Sequence, residues 1–291
     1  MIYKVMIIKA SGILCYSKTF YGEDKIDDDF ISGFLTAILD ISEKIGGGEI
    51  RSLNFRNFNI NYSYDDDKFC IFIIVADIND LEEELGDKIK LLKIEFMKQF
   101  REAFINWDGN ISKFEKFDAF TEKYIYLPPK ILLIGEDGVG KTTILDLFPG
   151  ELIIELDDDM NEVIQKSIKL TNLKRIKKCL IRELNIEDLI NNPKGYNQIL
   201  ESADIVCFVT NSGASNLSRT RNYYLSIEAK LERANCYVIA NFQDMKNISF
   251  EPEKIEELFG LITYGYSAIS MNAKEQINSI LLEVLGKIIM E

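Results

Sequence analysis

The sequence predicts two domains of different fold class, an α+β domain with an antiparallel sheet followed by an α/β domain with a mostly parallel sheet. Three observations predict this division. The chain has 291 residues, which is long for one domain. The order of strand-like and helix-like segments changes at Tyr124–Lys130, and two adjacent prolines in that stretch enforce an extended connection. We therefore expect a first domain over 1–124, a linker over 125–130 and a second domain over 131–291.

The first domain is predicted to have the element order ββαβββαα. Two strand-like runs flank a Ser-Gly turn signal, and a helix with one apolar face follows. Three more runs lead to a long helix, about Leu81–Ile105, whose apolar stripe is predicted to close with Phe100 and Ala103. A shorter, phenylalanine-rich helix ends the domain, so one antiparallel sheet with helices packed on it is favoured. The predicted strands are Ile2–Ile8, Ile13–Thr19, Ile50–Phe55, Phe58–Ser63 and Phe69–Ala76.

Strands and helices are predicted to alternate in the second domain, which ends with a helix over Lys274–Met290. Alternation of this kind favours a mostly parallel sheet covered on both faces. Nucleotides bind on such sheets at the carboxyl ends of the strands, so the residues that follow each strand are the first candidates for a site. The predicted strands are Ile131–Ile134, Val163–Leu170, Lys178–Arg182, Ile205–Thr210, Cys236–Ala240 and Leu261–Tyr266.

Charge and composition exclude several classes of function. A net charge of −13 repels nucleic acid and no long basic patch offsets it, so we expect no nucleic-acid partner. The absence of histidine removes Ser-His and Cys-His catalysis. The five cysteines are widely spaced, which favours buried thiols in a reducing compartment over zinc ligation or disulfides. No apolar run reaches the ~18 residues that span a bilayer, so we expect a cytoplasmic protein without a membrane anchor of its own.

A phosphate-binding pattern, Gly-x4-Gly-Lys-Thr, lies between the first predicted strand of the second domain and an apolar helix start. Its glycines permit backbone angles that a side chain would forbid, so that the N–H groups of the loop can turn towards phosphate oxygens. Lys141 is predicted to reach the β and γ phosphates and the Thr142 hydroxyl to ligate Mg²⁺. A glycine-rich turn without a ligand is the alternative. The predicted nucleotide-binding residues of the loop are Gly135, Asp137, Gly138, Val139, Gly140, Lys141, Thr142 and Thr143.

A second pattern, Asn241-Phe242-Gln243-Asp244, follows the strand that is predicted to end at Ala240. The Asp244 carboxylate can accept two hydrogen bonds from the N1–H and N2–H₂ edge of guanine, whereas adenine offers no such pair. We therefore predict that Asn241, Phe242 and Asp244 contact a guanine base. Phe242 either stacks on the base or is a core aromatic residue.

These two patterns resemble those of Ras-like small GTPases, and most closely the branch of Arf and the signal recognition particle receptor β subunit. The loop GEDGVGKTTIL has Asp137 where that branch often has Asp, and NFQD resembles the NKQD of Arf, with Phe242 in place of Lys. The resemblance covers about Lys130–Glu291 and implies a small GTPase-like P-loop NTPase that binds GTP or GDP with Mg²⁺. It also implies that Ser267-Ala268-Ile269, after the last predicted strand, reads guanine O6 through a backbone N–H; an ordinary exit from a strand is the alternative.

The element order of the first domain resembles that of longin domains, which occur in trafficking proteins and in the signal recognition particle receptor. That resemblance covers about Met1–Tyr124 and rests on element order rather than on a motif. It implies an α+β interaction domain that docks helices or GTPases. We therefore expect protein partners to bind through this domain and through the nucleotide-sensing switches of the second one, in a role near trafficking or targeting machinery.

Both switch segments depart from the family pattern. Switch I lacks its metal-binding Thr between Phe148 and Gln165 and contains three consecutive aspartates instead. Of these, Asp158 is the predicted Mg²⁺ ligand, since hard cations favour carboxylates, and a solvated acidic loop is the alternative. In switch II, Glu183 is a predicted metal contact through water. Ile186 replaces the expected Gly, and Glu187 replaces the Gln that positions water.

A carboxylate beside the γ-phosphate is a poor substitute for an amide, so Glu187 is a weak catalytic candidate and we predict slow or absent intrinsic GTP hydrolysis. Three functions stay open on the sequence. The first is a guanine-nucleotide switch or assembly platform with degenerate switches. The second is a scaffold that has lost the nucleotide, and the third is a GTP hydrolase that a partner completes.

Overall fold

The chain divides at its two adjacent prolines into two units, Met1–Leu127 and Pro128–Glu291, in the computed structural model of the protein. This division lies inside the segment that the sequence predicts as a linker. The structure describes residues 1–21, 27–44, 52–56, 58–78, 80–156, 162–170, 173, 176–231 and 233–290.

A five-stranded antiparallel sheet forms the centre of the first unit, with the strand order β2-β1-β5-β4-β3. The middle strand, β5, is buried along almost its whole length, which explains its uninterrupted apolar sequence. Every strand predicted from the sequence for this unit is present, with ends shifted by one or two residues. The strands are β1 Ile2–Lys9, β2 Leu14–Thr19, β3 Ser52–Asn54, β4 Phe58–Tyr64 and β5 Cys70–Asp77.

Helices cover both faces of this sheet. Helix α1, Asp28–Lys44, packs its apolar face against one side of β1, β4 and β5. Helix α2, Glu82–Ile105, covers the other side, where Phe96 contacts Phe72 at a ring-centroid distance of 5.9 Å. A 3₁₀ helix over Ile111–Phe117, the short helix α3 (Asp118–Phe120) and a π-helical turn over Thr121–Ile125 complete the unit.

The predicted end of the α2 stripe was wrong by one residue. Phe104 is buried, whereas Ala103 is exposed. The reason is the phenylalanine cluster beneath the helix, since the Phe104 ring lies 6.0 Å from that of Phe96 and 6.4 Å from that of Phe114. An alanine one position earlier offers little area for that contact.

A mixed seven-stranded sheet forms the centre of the second unit, with the order β12-β11-β10-β6-β9-β8-β7. Strand β6 lies in the middle and pairs in parallel with β9 and β10, and the ladder continues in parallel to β11 and β12. Strand β8 runs antiparallel to β7 and β9. The strands are β6 Lys130–Gly135, β7 Gly150–Leu156, β8 Glu162–Lys169, β9 Lys178–Asn185, β10 Ile205–Thr210, β11 Asn235–Ala240 and β12 Thr263–Gly265.

Strand β7 was not predicted from the sequence. It is an edge strand, and Leu152 and Ile154 point outward with 56% and 57% of their surface exposed. The segment has no alternation of buried apolar and exposed polar side chains, which is the usual sign of a half-buried strand.

Six α-helices and a 3₁₀ helix over Glu228–Lys230 are described in the second unit, and they flank its sheet. Leu217 and Tyr224 of α7 pack in one core with Ile134, Phe208 and Val238 of the sheet. The carboxyl ends of β6 and of its parallel neighbours therefore meet along one edge. The helices are α4 Lys141–Leu147, α5 Ile186–Asn191, α6 Asn197–Glu201, α7 Ala214–Ile227, α8 Pro252–Phe259 and α9 Ala273–Met290.

Two further expectations concern the chain as a whole. All five cysteines are free, and four of them are buried. Burial raises the pKa of thiols such as Cys179 and Cys207 to about 12, so these groups stay protonated at neutral pH. Among the residues that the structure describes, no helix is both long and apolar enough to cross a bilayer.

Candidate nucleotide-binding site

The predicted phosphate loop joins the central strand β6 to helix α4, and its glycines are required by geometry. Gly138 and Gly140 have φ angles of +75° and +94°, which side chains rarely adopt. A Cβ atom on Gly135 would lie 2.5 Å from the carbonyl oxygen of Val209. A Cβ atom on Gly140 would collide with the side-chain nitrogen of Asn241. The loop therefore has the tight curl that the sequence pattern predicts.

The Lys141 side chain folds back over this curl. Its Nζ donates hydrogen bonds to the carbonyl oxygens of Gly135 at 2.9 Å and Glu136 at 2.8 Å. Only 8% of the residue is exposed. Burial lowers the pKa of the Lys141 ammonium group, and the carboxylates of Glu183 and Asp137 partly oppose that shift. A positive charge held inside a curl of backbone is suited to an anion.

Thr142 and Glu183 form the side of the site where a metal ion would bind. The Thr142 hydroxyl donates to Glu183 Oε1 at 3.2 Å, and Glu183 Oε2 is buried without a hydrogen-bond partner. A buried carboxylate oxygen without a partner is costly, and a divalent cation with oxygen ligands would satisfy it. No cluster of three or more Cys, Asp or Glu side chains suited to a metal occurs in the described part of the chain. Asp158, the predicted ligand from switch I, lies outside the described residues.

Strand β9 ends beside the loop in a hydrogen-bonded asparagine. Asn185 Nδ2 donates to Asp137 Oδ1 at 2.6 Å, and Asn185 Oδ1 accepts from the backbone N–H of Glu187 at 2.9 Å and so caps helix α5. Ile186, which stands where small GTPases have Gly, is buried in the core of the unit. Glu187, the weak catalytic candidate, is exposed at the start of α5.

Besides the Asn185–Asp137 bond, a second contact holds the loop in place, and it was not predicted from the sequence. The Glu136 carboxylate accepts hydrogen bonds from Asn216 Nδ2 at 2.6 Å and Arg219 Nη2 at 2.7 Å, both on α7, and also from Arg219 Nε. The Arg219 hydrogen bonds, helped by Asn216, hold the pKa of Glu136 below its usual range. Nothing in the order of the residues shows that α7 returns to the loop, so only the fold reveals this pair.

Asn241 is an internal brace rather than an open contact in this structure. It is 2% exposed; its Nδ2 donates to the carbonyl oxygen of Val139 at 2.9 Å, and its Oδ1 accepts from the Ala268 N–H at 3.1 Å. It thus joins the phosphate loop to the segment after β12. The neighbouring Phe242 has a φ angle of +65°, a strained value for an aromatic residue, of the kind that clusters at functional sites.

The remaining predicted base-reading residues lie close together at the surface. The Ser267 hydroxyl donates to Asp244 Oδ1 at 2.6 Å, and Asp244 is exposed. Ile269 is 80% exposed. The structure therefore brings Asp244 and Ser267 close enough for both to contact one base. The Ile269 side chain points into solvent.

A cavity of about 470 Å³ lies over the phosphate loop, within the usual size range of small-molecule sites. It brings together the loop, the metal-side carboxylate Glu183 and the half-buried Phe242. Asp244, Ser267, Ala268, Ile269 and Glu187 lie outside its lining. The lining residues are Asp137, Gly138, Gly140, Lys141, Thr142, Thr143, Ile164, Glu183, Leu184, Asn185, Asp188, Tyr196 and Phe242.

Sequence reasoning missed several of these lining residues, notably Asn185, Asp188 and Tyr196. For Asn185 a signal existed, because an asparagine two residues before the acidic pair Glu187-Asp188 is a typical helix cap. For Tyr196 there was none, since its loop reaches the cavity only through the fold.

Comparisons with known proteins leave the family open. No model of a protein family matches the chain, and no curated protein matches it. Among solved structures, an NFeoB mutant of S. thermophilus bound to GDP is 20% identical with a TM-score of 0.41, over 54% of this chain and 62% of that one. The cytosolic domain of the T. maritima FeoB iron transporter in a GDP form is 15% identical with a TM-score of 0.43, over 54% and 63%.

The chain therefore spans less than two thirds of the length of either solved chain. By its own topology the second unit, a mixed seven-stranded sheet with helices and a glycine loop after its central strand, fits the P-loop NTPase fold.

Proposed function

We propose that the second unit binds a guanine nucleotide together with Mg²⁺ and acts as a nucleotide-dependent switch or assembly platform. One observation carries this proposal above the others. The buried Lys141 ammonium group folds over a loop with left-handed glycines, directly beside the Thr142–Glu183 pair. The phosphates of a nucleotide would bind the positively charged loop. Their metal ion would bind the buried carboxylate oxygen of Glu183, which has no hydrogen-bond partner.

The phosphates are expected to lie in the loop, over Lys141. Left-handed angles at Gly138 and Gly140 make successive N–H groups converge, which favours anions. The Glu136 anchor on Arg219 and Asn216 fixes the loop from outside the cavity. The loop is therefore held in one conformation without the ligand, which lowers the cost of ordering it on binding.

Mg²⁺ fits the oxygen donors of Thr142 and Glu183. When bound, it would supply positive charge that neutralises the phosphate oxygens. The two side chains already touch at 3.2 Å, and Glu183 Oε2 has no other partner among the described residues. Mg²⁺ usually takes only one or two protein ligands and completes its shell with water and phosphate, so this small donor set is sufficient.

The base is expected beside Phe242 and Asp244. Phe242 lines the same cavity as the loop, and a ring there can cover a purine face. The exposed Asp244 carboxylate keeps lone pairs free beyond its Ser267 bond and can pair with the guanine N1–H and N2–H₂ edge. Asn241 and Ala268 support this region by joining it to the loop.

Intrinsic hydrolysis is expected to be slow. Ile186 is packed in the core at the place where the family has a flexible Gly, and Glu187 is exposed outside the cavity lining. A carboxylate therefore stands where small GTPases have the Gln that positions the attacking water. A role near trafficking or targeting machinery, with partners at a longin-like first unit, rests on the sequence resemblance alone and stays a prediction.

The decisive experiment measures the nucleotide that the purified protein releases on denaturation, followed by rebinding of GDP and ADP in Mg²⁺. We expect guanine nucleotide to be released and GDP to be preferred over ADP. Lys141→Ala should weaken GDP binding about a hundredfold or more, as loss of a buried charge contact does. Lys254→Ala, an exposed lysine on α8, is the matched control and should leave affinity unchanged.

Each of the other outcomes would support one of the alternative functions. Neither release nor rebinding of any nucleotide would establish a scaffold without a ligand. Binding of ADP as tight as that of GDP, unaffected by Asp244→Ala, would contradict guanine selection. Rapid single-turnover hydrolysis that depends on Glu187 would contradict slow turnover and favour an active hydrolase.

A further inference from the structure

A side-chain hydrogen bond joins the phosphate loop to the end of β9 at the edge of the cavity. Asn185 Nδ2 donates to Asp137 Oδ1 at 2.6 Å, and both residues line the cavity. Asp137 is the third residue of the loop, and Asn185 is the last residue of the neighbouring strand, paired in register with Gly135. The bond therefore joins two neighbouring elements that line the proposed site, and we name it the Asp137–Asn185 bridge.

The bridge adjoins the place that a terminal phosphate would occupy. In P-loop proteins the loop lysine and the metal ion both contact the last two phosphates. Here Lys141 Nζ is bound to the carbonyl oxygen of Glu136, directly before Asp137. The metal-side carboxylate, Glu183, lies two residues before Asn185 on the same strand. A terminal phosphate between these groups would therefore meet the bridge.

The charges around the cavity oppose that phosphate. Three carboxylates, those of Asp137, Glu183 and Asp188, belong to its lining. Within the described lining, Lys141 is the one cation. A triphosphate places more negative charge than a diphosphate on the side where these carboxylates lie, and like charges at contact distance repel even where, as at Asp137 and Asp188, solvent reaches them.

We propose that the Asp137–Asn185 bridge makes the site selective for the nucleoside diphosphate. It holds a carboxylate against the place of the terminal phosphate, so a triphosphate binds only after the bridge opens. This inference rests on the proposed nucleotide binding.

Opening of the bridge would also affect helix α5, because the same Asn185 side chain caps that helix through the N–H of Glu187. Opening of the bridge would release Asn185 and thereby loosen the start of α5.

The test compares the dissociation constants of GDP and of a non-hydrolysable GTP analogue for the full chain at fixed Mg²⁺. The wild type should bind GDP at least about tenfold more tightly than the analogue. Asp137→Asn keeps a hydrogen-bond acceptor and removes the charge, and should lower this preference about tenfold. Asn185→Ser keeps an oxygen to cap α5 but is too short to reach Asp137, and should also lower it.

Two further variants make the result specific. Asp146→Asn removes an exposed carboxylate on α4 outside the cavity lining, and should not change the ratio. The exchange Asp137→Asn with Asn185→Asp restores a bridge with its charge on the other wall, and should return the ratio towards the wild-type value. A purely structural role of either residue would change both affinities together and leave the ratio unmoved.

The inference is overturned if the wild type binds the analogue as tightly as GDP, or if the ratio is the same in the wild type, Asp137→Asn and Asn185→Ser. If the wild type binds neither nucleotide, the proposed function itself fails. Equal binding of both nucleotides sinks the inference alone and leaves the proposed function in place.

Discussion

At Gly140 in the phosphate loop, a left-handed backbone angle and close packing coincide. Its φ of +94° is strained for any other residue, and a Cβ atom there would collide with the Asn241 side chain. Asn241 in turn joins the phosphate loop to the segment that contains Ala268. Because glycine has no side chain, Asn241 can pack against the loop at Gly140 and connect the loop to the segment after β12.

Gly140→Ala should destabilise the second unit by about 1–3 kcal/mol and weaken GDP binding, because both the angle and the collision oppose it. Gly138→Ala is the matched comparison, since Gly138 has a similar φ of +75° but open space where its Cβ would lie. Its cost should be only about 1 kcal/mol. Denaturant unfolding of both variants measures the difference. Equal losses would show that the Asn241 contact contributes nothing.

Helix α7 and the phosphate loop are coupled by a charged contact. Arg219 and Asn216 both bind the Glu136 carboxylate, which keeps the pKa of Glu136 below its ordinary value of 4.5. A carboxyl group whose pKa is lowered by folding stabilises the folded protein at pH values above its ordinary, unfolded-state pKa. That stabilisation is lost as the pH falls through the folded-state pKa.

Arg219→Ala should therefore cost stability that depends on pH. The difference in free energy of unfolding from the wild type should be constant above about pH 5 and shrink as the pH falls below the ordinary value of 4.5 towards the lowered pKa of Glu136 in the folded wild type. Arg221→Ala on the same helix is the control, because Arg221 Nε donates to the carbonyl oxygen of Leu258 and not to a carboxylate. Denaturant titrations over this pH range measure both. A gap for Arg219→Ala that does not change with pH would refute the ion pair.

Elements differed in how far the sequence could predict them. The central strands were predictable because β5 and β10 are uninterrupted apolar runs, and the phosphate loop because its glycines stand at fixed spacings between a strand and a helix. Strand β7 was missed because it is an edge strand whose Leu152 and Ile154 side chains face outward. Its sequence therefore lacks the alternation of buried apolar and exposed polar residues that indicates a strand.

The site was only partly predictable for a related reason. Lys141, Thr142 and Glu183 follow local patterns, and the structure places them together. Arg219 and Tyr196 reach the loop or the cavity through tertiary contacts, which leave no mark on residue spacing. Asn185 belongs to both groups, since its cap is local and its bridge to Asp137 is not.

At the scale of the whole molecule, each unit has a separate apolar core. Met6, Leu35 and Ile73 belong to the core of the first unit, and Ile134 and Phe208 to that of the second. A ligand that binds one folded unit stabilises that unit by mass action. The only tryptophan of the chain, Trp107, lies in the first unit and contacts the ring of Phe114 there. Tryptophan fluorescence therefore reports on the unit that lacks the proposed site.

GDP with Mg²⁺ should raise the unfolding temperature of the second unit by about 5–10 °C at a concentration about a hundredfold above the dissociation constant. Circular dichroism, which senses both units, should show this shift. Trp107 fluorescence under the same conditions should not move, because GDP does not bind the unit that it reports on. Lys141→Ala should abolish the shift in circular dichroism and leave the fluorescence transition as it was. A Trp107 transition that rises with GDP in step with the circular dichroism would contradict independent unfolding, since the stabilisation would then reach a unit that holds no nucleotide.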